Sequence, residues 1–182
     1  ISQTDEDYLN KLVDYNRLIK QRNSYLKNTY TLKDIDTDII RTYNAKLIEL
    51  NLFLSRVRKE TSENLNKEFN EVSENLTKEN FNIEYSTEIE EGLKHEDFDK
   101  KLEYDFYTKK TSLGIHNDDY MFYLDNKLIK RYGSQGQQKI FIISLKICEY
   151  LILMRKTEKN PIILLDDVYH KLDNKRIELL NK

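Results

Sequence analysis

Glycine is scarce in this chain: four residues in 182, at positions 92, 114, 133 and 136. Proline occurs once, at Pro161, and cysteine once, at Cys148. A lone cysteine excludes an internal disulfide. Its place in an apolar run predicts a buried, inert thiol, in keeping with a reducing, cytoplasmic setting. No Gly or Pro falls between residues 36 and 80, so nothing there breaks a helix. No hydrophobic run is long enough to cross a bilayer core of about 30 Å. The most apolar stretch, 140–154, is broken by Ser144, Lys146 and Glu149, so a buried helix is expected and no membrane partner. The first residues are polar and acidic and do not read as a signal peptide. An excess of one charge is missing as well. Thirty Lys and Arg against 32 Asp and Glu leave a net charge of −2, so any nucleic-acid binding must come from local patches. Absent too is the phosphate loop G-x-x-x-x-G-K-[S/T]: Gly92 and Gly114 stand isolated.

Apolar residues make up 38% of the chain and charged residues 34%. That pairing predicts a modest core with a long, solvated helical part. The length fits one domain, or one domain with an appendage. The chain begins without methionine and ends inside the helical pattern "NKRIELLNK", so a piece of a longer protein is expected. Leu9, Leu12, Val13, Ile19 and Leu26 mark a first helix over 1–28, with Leu12, Ile19 and Leu26 seven apart. The stretch "KNTYTLKDID" (27–36) interrupts it. A second stripe runs through Ile40, Tyr43, Leu47, Leu50, Leu54 and Val57, then Leu65, Phe69, Val72 and Leu76. Two antiparallel helices follow, the second about 40 residues long. Arg56, Arg58, Lys59, Glu60, Glu63, Lys67 and Glu68 read as its solvated face.

From residue 81 the period changes. "FNIEYS" (81–86) and "KLEYDFYT" (101–108) alternate as strands do. "YMFYLDNKLIKRY" (120–132) reads as two short strands around Asp125-Asn126. An antiparallel sheet or meander is therefore expected over 81–132. A helix is expected from about Ser134 to Lys156, then "IILLDD" (162–167) as a buried parallel strand, then a helix from about Asp173. Late strand–helix alternation is an α/β sign. The expected fold class is α+β or α/β: a helical arm over 1–80, then residues 81–182 with antiparallel strands, a long helix and a buried acidic strand.

Two motifs carry chemistry. In "IILLDD" two carboxylates sit where a buried strand ends, which is where open α/β sheets bind ligands. One can hold Mg²⁺ and its neighbour can orient a water; an acidic surface turn is the alternative. In "GSQGQQ" (133–138) Ser134 and Gln137 have capping-box spacing. Gly136 leaves room for a group to approach, and a helix amino terminus favours anions. The segment is thus a helix cap, a phosphate site, or both. Lys127, Lys130 and Arg131 form a small basic cluster and Lys109-Lys110 another, each open to reading as a DNA contact or a solvated edge. His95, His116 and His170 read as surface or structural residues.

Taken together, "GSQGQQK…SLK…ILLDDV…LD" resembles the signature motif, acidic strand (Walker B) and D-loop of ABC-type ATPases, in the form found in the RecF family of DNA replication and repair proteins. "TSLGIHNDDYMFYLDNK" (111–127) resembles that family's Gly-Pro-His-Arg-Asp-Asp segment, with Ile115 in place of the proline and Asn117 in place of the arginine. The resemblance covers 111–182 well, and 1–110 only in kind.

That resemblance implies specific roles. Ser134 and Gly136 would meet the γ-phosphate of ATP held by an opposite subunit, with Gln135, Gln137 and Gln138 shaping the loop. Asp166 would hold Mg²⁺, Asp167 would position the attacking water, and Asp173 would be the D-loop carboxylate. Asp167 is one methylene shorter than the usual glutamate, so hydrolysis would be slow. The phosphate loop would lie upstream, leaving this chain alone inactive. The resemblance further implies an ATP-dependent homodimer on single-stranded DNA and junctions, recombinase loading, a part in the SOS response, and partners of RecO and RecR type. Two other readings stand beside it. One is a piece of an SMC-like or Rad50-like coiled-coil ATPase, which would need a far longer arm. The other is a non-enzymatic helical interaction module.

Overall fold

The computed structural model describes residues 1–77, 79–158 and 160–164. Five helices and three strands follow in the order α1 (Glu6–Asn28), α2 (Thr37–Leu76), β1 (Phe81–Ser86), α3 (His95–Thr108), β2 (Asp119–Leu124), β3 (Lys127–Leu128), α4 (Ile129–Tyr132) and α5 (Gln135–Thr157). They form two compact units. One comprises residues 1–59 and 86–119; the other comprises 60–85 and the described residues from Tyr120 onward.

In the first unit the expected helix pair is present. The Asp5 carboxylate caps α1 by accepting from Tyr8 N–H at 2.9 Å. Asp36 does the same for α2, accepting from Asp38 and Ile39 N–H at 2.9 and 3.2 Å. Each bond satisfies a donor that has no intrahelical acceptor. Tyr8 meets Arg58, Arg22 meets Asn44, and Tyr25 meets Tyr43. As α1 numbers rise the α2 partners fall, which makes the pair antiparallel. Leu26, Ile40, Leu47 and Leu54 have almost no exposed surface. Burying each such side chain is worth about 1.5–3 kcal/mol.

The apolar stripe named only part of that seam. Leu9 and Val13 are exposed, whereas Tyr8, Tyr15 and Arg22, seven apart, are buried beside Leu26. On α2, Asn44 and Asn51 lie at core positions between Ile40, Leu47 and Leu54, with no exposed surface. The seam therefore mixes apolar side chains with polar ones that have partners, as burial of polar groups requires.

Residues 101–108, read as a strand, belong to helix α3. The alternation placed Tyr104 inside and Asp105 outside. In the fold Tyr104 is 62% exposed and Asp105 fully buried. Phe98, Asp105 and Phe106 are buried and Leu102 partly so, a spacing that fits a helix face. The carboxylate Asp97 accepts from Lys94 N–H and from Lys100 Nζ, both at 3.0 Å. Those bonds, Lys100 foremost, hold its carboxyl below the usual carboxylate range. Asp105 is inside because Arg22 Nη1 donates to it at 2.7 Å, from 83 residues away. No local pattern records that pairing.

In the second unit the alternation over β1 is real: Phe81 and Ile83 are buried, Asn82 and Glu84 exposed. The sheet order is β1-β2-β3. β2 and β3 pair antiparallel, with Tyr123 opposite Leu128 and Leu124 opposite Lys127. Between them Asp125 and Asn126 both have positive φ, 47° and 63°, the requirement of a tight two-residue hairpin. The second expected strand is only two residues long; 129–132 turn instead as α4. Phe69, Phe81, Phe122 and Phe141 pack with ring centroids 4.9–5.7 Å apart over this sheet. Cys148 is buried in the same core, and burial pushes its thiol up to about 12. Inertness follows, since the thiolate is the reactive form. Of the residues expected in a buried strand from 162, the described ones form none, and Ile162 and Leu164 are 85% and 90% exposed. A parallel strand is buried only between partners, and among the described residues β1–β3 do not supply them. The structure has no helix, among the described residues, long and apolar enough to cross a membrane.

Candidate functional site

The site begins with the start of α5. Ser134 is its N-cap: Ser134 Oγ accepts from Gln137 N–H at 3.2 Å, while Gln137 Oε1 accepts from Ser134 N–H at 2.8 Å. Both bonds of the capping box are made. The next bond, Gln138 N–H to Ser134 C=O at 2.9 Å, is the first of the helix ladder. The N–H groups of Gln135 and Gly136 precede it and have no acceptor within the helix. Ser134 and Gln135 are exposed, Gly136 and Gln137 half-buried. The first turn carries no acid, so the positive end of a 23-residue helix dipole faces solvent unopposed. Such a turn can hold an anion.

Gly133 and Gln138 hold that turn in place. Gly133 has φ −76°, an ordinary backbone value. Its need is space, because an added Cβ would stand 2.7 Å from both Cγ1 and O of Ile129. Gln138 Nε2 donates to Gly133 C=O at 2.9 Å and Ile129 C=O at 3.3 Å, tying α4 to α5. Lys127, Lys130 and Arg131 are exposed just upstream. The Arg131 guanidinium lies 5.4 Å from the ring centroid of Tyr132, itself 60% exposed. The fold thus gathers Ser134, Gln135, Gly136 and Gln137 into one exposed turn, with three cations on the segment entering it. Asp166, Asp167 and Asp173, and with them His170, lie outside the described residues.

His116 belongs to the other unit. Its Nε2 is 2.8 Å from Thr111 C=O, which can only accept, so Nε2 carries the proton. In that tautomer Nδ1 accepts from the Tyr15 hydroxyl at 2.6 Å. Burial raises the Tyr15 phenol well above its usual value, so it stays a donor. Gly114 allows this contact: its φ is 149°, and a Cβ there would stand 2.2 Å from Tyr15 Oη. Ile115 N–H donates to Asn51 Oδ1 at 2.9 Å, a bond that proline at 115 could not make. Arg58 was read with the solvated face. It is instead pinned by Tyr8 Oη at 2.9 Å, Ile115 C=O at 2.7 Å and Asp118 at 3.3 Å. Glu68, of the same group, pairs with Arg155. Segment 111–118 is therefore clamped to the helix pair by Tyr15, Asn51 and Arg58. Sequence patterning missed all three because their partners are 57 to 101 residues distant. Asparagine at a core heptad position was the one available signal. Lys109 is likewise structural: it caps α3 with φ 56°, and its Nζ reaches Thr29 C=O at 3.1 Å.

An antiparallel helix pair, a small sheet and a capped signature-type turn opening a long helix define the class, an ABC-type ATPase fold with a helical arm. Within that class the chain is a RecF homologue, matching the family over its carboxyl-terminal half. It is 37% identical over 181 residues to "DNA replication and repair protein RecF" of Cytophaga hutchinsonii, covering 98% of this chain and 48% of that protein. With RecF of Flavobacterium johnsoniae it shares 35% over 179 residues, 97% of this chain and 50% of the other. The solved structure of the recombination mediator protein RecF-ATP in the RecFOR pathway superposes with a TM-score of 0.84 at 27% identity, over 100% of this chain and 52% of that one. A RecF-ATPrS structure of the same pathway gives 0.83 at 26% identity, over 98% of this chain and 51% of the other. No family model matches the sequence. The chain spans about half the length of the curated relatives it matches.

Proposed function

We propose that this chain supplies the signature-bearing half of a RecF-type ATPase that acts in DNA replication and repair. The helical arm would come from residues 1–80 and the head part from residues 81–182. The observation that carries the reading is the start of α5: a complete capping box, exposed Ser134 and Gln135, and no acid in the first turn. These residues fit a phosphate. Ser134 and Gly136 would receive the γ-phosphate of ATP carried by an opposite subunit, and Gln135 and Gln137 would keep the turn in register. The relatives named RecF-ATP support the nucleotide. Asp166, Asp167 and Asp173 keep the roles expected for Mg²⁺, water and the D-loop.

Bound ATP would supply the charge that draws two such turns together, so that nucleotide gates a homodimer. Lys127, Lys130 and Arg131 would meet DNA phosphate, and single-stranded DNA and junctions would be the substrates. RecO- and RecR-type proteins would be the partners, with recombinase loading and the SOS response as the outcome, in the cytoplasm. Light scattering of the intact protein with and without ATP tests the central claim. Ser134→Arg should abolish ATP-dependent dimerisation by filling the phosphate position. Dimerisation equal to the parent's would refute the signature assignment.

A further inference from the structure

We propose that a groove between α3 and the loop that follows it binds single-stranded nucleic acid, at a site separate from the start of α5. The choice of polymer rests on reading the chain as part of a DNA replication and repair protein; the location comes from the groove. It is an open groove of roughly 900 Å³. Its wall includes Glu88, Lys101, Tyr104, Lys110, Ser112 and Asn117.

The cations there differ from their neighbours. Lys100 is engaged by Asp97, and Lys109 by Thr29 C=O and the Phe106 ring at 3.6 Å. Lys101 and Lys110 are exposed, and among the described residues no ion pair holds either. Between them Tyr104 is 62% exposed. A phenol ring on a rigid helix beside two uncommitted ammonium groups is the arrangement that binds unpaired bases: the ring stacks a base, the lysines take phosphate. Glu88 accepts only; it repels phosphate and suits the amino edge of a base.

Its frame is built in advance. Asp105 accepts from Ser112 N–H at 2.8 Å, and Asn23 accepts from Thr111 N–H at 2.7 Å. Asp105 and Thr111 are tied in turn to Arg22, which donates to both. Little ordering cost is left for binding.

The test is fluorescence anisotropy of a 5′-fluorescein single-stranded 20-mer of mixed sequence, titrated with the chain across a range of salt. Tyr104→Ala should weaken binding about tenfold, a stacking loss of ordinary size. Lys101→Glu with Lys110→Glu should weaken it at least as much and reduce the salt slope by about 1.4, at about 0.7 per phosphate for single strands. Thermal melts should match the parent's, since the three altered side chains are exposed. The losses should persist in a Lys127→Glu, Arg131→Glu background, and ATP should not compete where unlabelled oligonucleotide does. Parental affinity in the groove variants overturns the proposal, whatever Lys127 and Arg131 contribute. Competition by ATP reassigns the groove to mononucleotides and overturns it too, as does duplex binding that depends equally on Tyr104. None of these outcomes bears on dimerisation through Ser134, so the two readings fail separately.

Discussion

Asp105→Ala strips the partner from a guanidinium that has no exposed surface. Arg22 Nη1 donates to Asp105 Oδ2 at 2.7 Å and to Thr111 Oγ1 at 2.8 Å, and Nε donates to Asn44 at 3.3 Å. Without the carboxylate the charge keeps two neutral acceptors and cannot reach water. Breaking a buried pair in this way costs about 3–5 kcal/mol. The Ser112 N–H loses its acceptor at the same time, inside that figure rather than added to it, because the groups share one network. For a chain of this length each kcal/mol lowers Tm by about 2–4 °C, so a drop of about 6–20 °C is expected. Urea unfolding followed by circular dichroism gives the free energy directly. The decisive companion is Arg22→Met with Asp105→Leu. It removes both charges and keeps the volume filled, so it should recover at least about 2 kcal/mol of the loss. A loss below about 1 kcal/mol for Asp105→Ala would refute the reasoning. So would a double variant no more stable than the single one, because the cost would then lie in lost packing and not in stranded charge.

Two further outcomes can be checked on the same protein. Gly114→Ala forces a Cβ to within 2.2 Å of Tyr15 Oη at a φ of 149°; the expected cost is about 2–4 kcal/mol by thermal melt, and Tyr15→Phe in the same chain should restore part of it by removing the clashing oxygen. Cys148 has its thiol raised to about 12 by burial, with Glu68 adding to the effect. Folding therefore holds a proton that the unfolded thiol releases near pH 8.5, and the contribution is full below that pH and declines as pH rises towards 12. Urea midpoints from pH 8 to 11 should fall with a slope that shrinks in Cys148→Ala, and native Cys148 should resist alkylation at pH 8 until urea is added.

Much of this architecture is carried by local pattern. The α1–α2 pair, the β1 alternation, the Asp125-Asn126 turn and the Ser134 cap all depend on residues within a few positions of one another. Helix periodicity, strand alternation and capping are short-range physics, so they show in the one-dimensional string. The signature-type turn was legible for the same reason: Ser134 and Gln137 satisfy each other's backbone across three residues. The misreadings share a cause. Helix α3 looked like a strand because Asp105 counted as outward and Tyr104 as inward. Arg58 looked solvated because the residues that hold it lie on other elements.

The sequence by itself determined the helices of the arm, the hairpin, the buried thiol and the resemblance to RecF proteins, through spacings that each element must satisfy alone. Only the tertiary structure decided which polar groups go inside. Arg22, Asp105, Tyr15 and Asn51 are buried because each finds a partner across 64 to 101 residues, that of Tyr15 being the exposed His116 and that of Asn51 the Ile115 N–H. Most polar groups that leave water do so with such a partner in place. That same closure left Lys101, Tyr104 and Lys110 facing the groove while it tied Lys109 and Thr111 into the frame. Which side chains are free to bind is thus a consequence of which ones folding has already engaged.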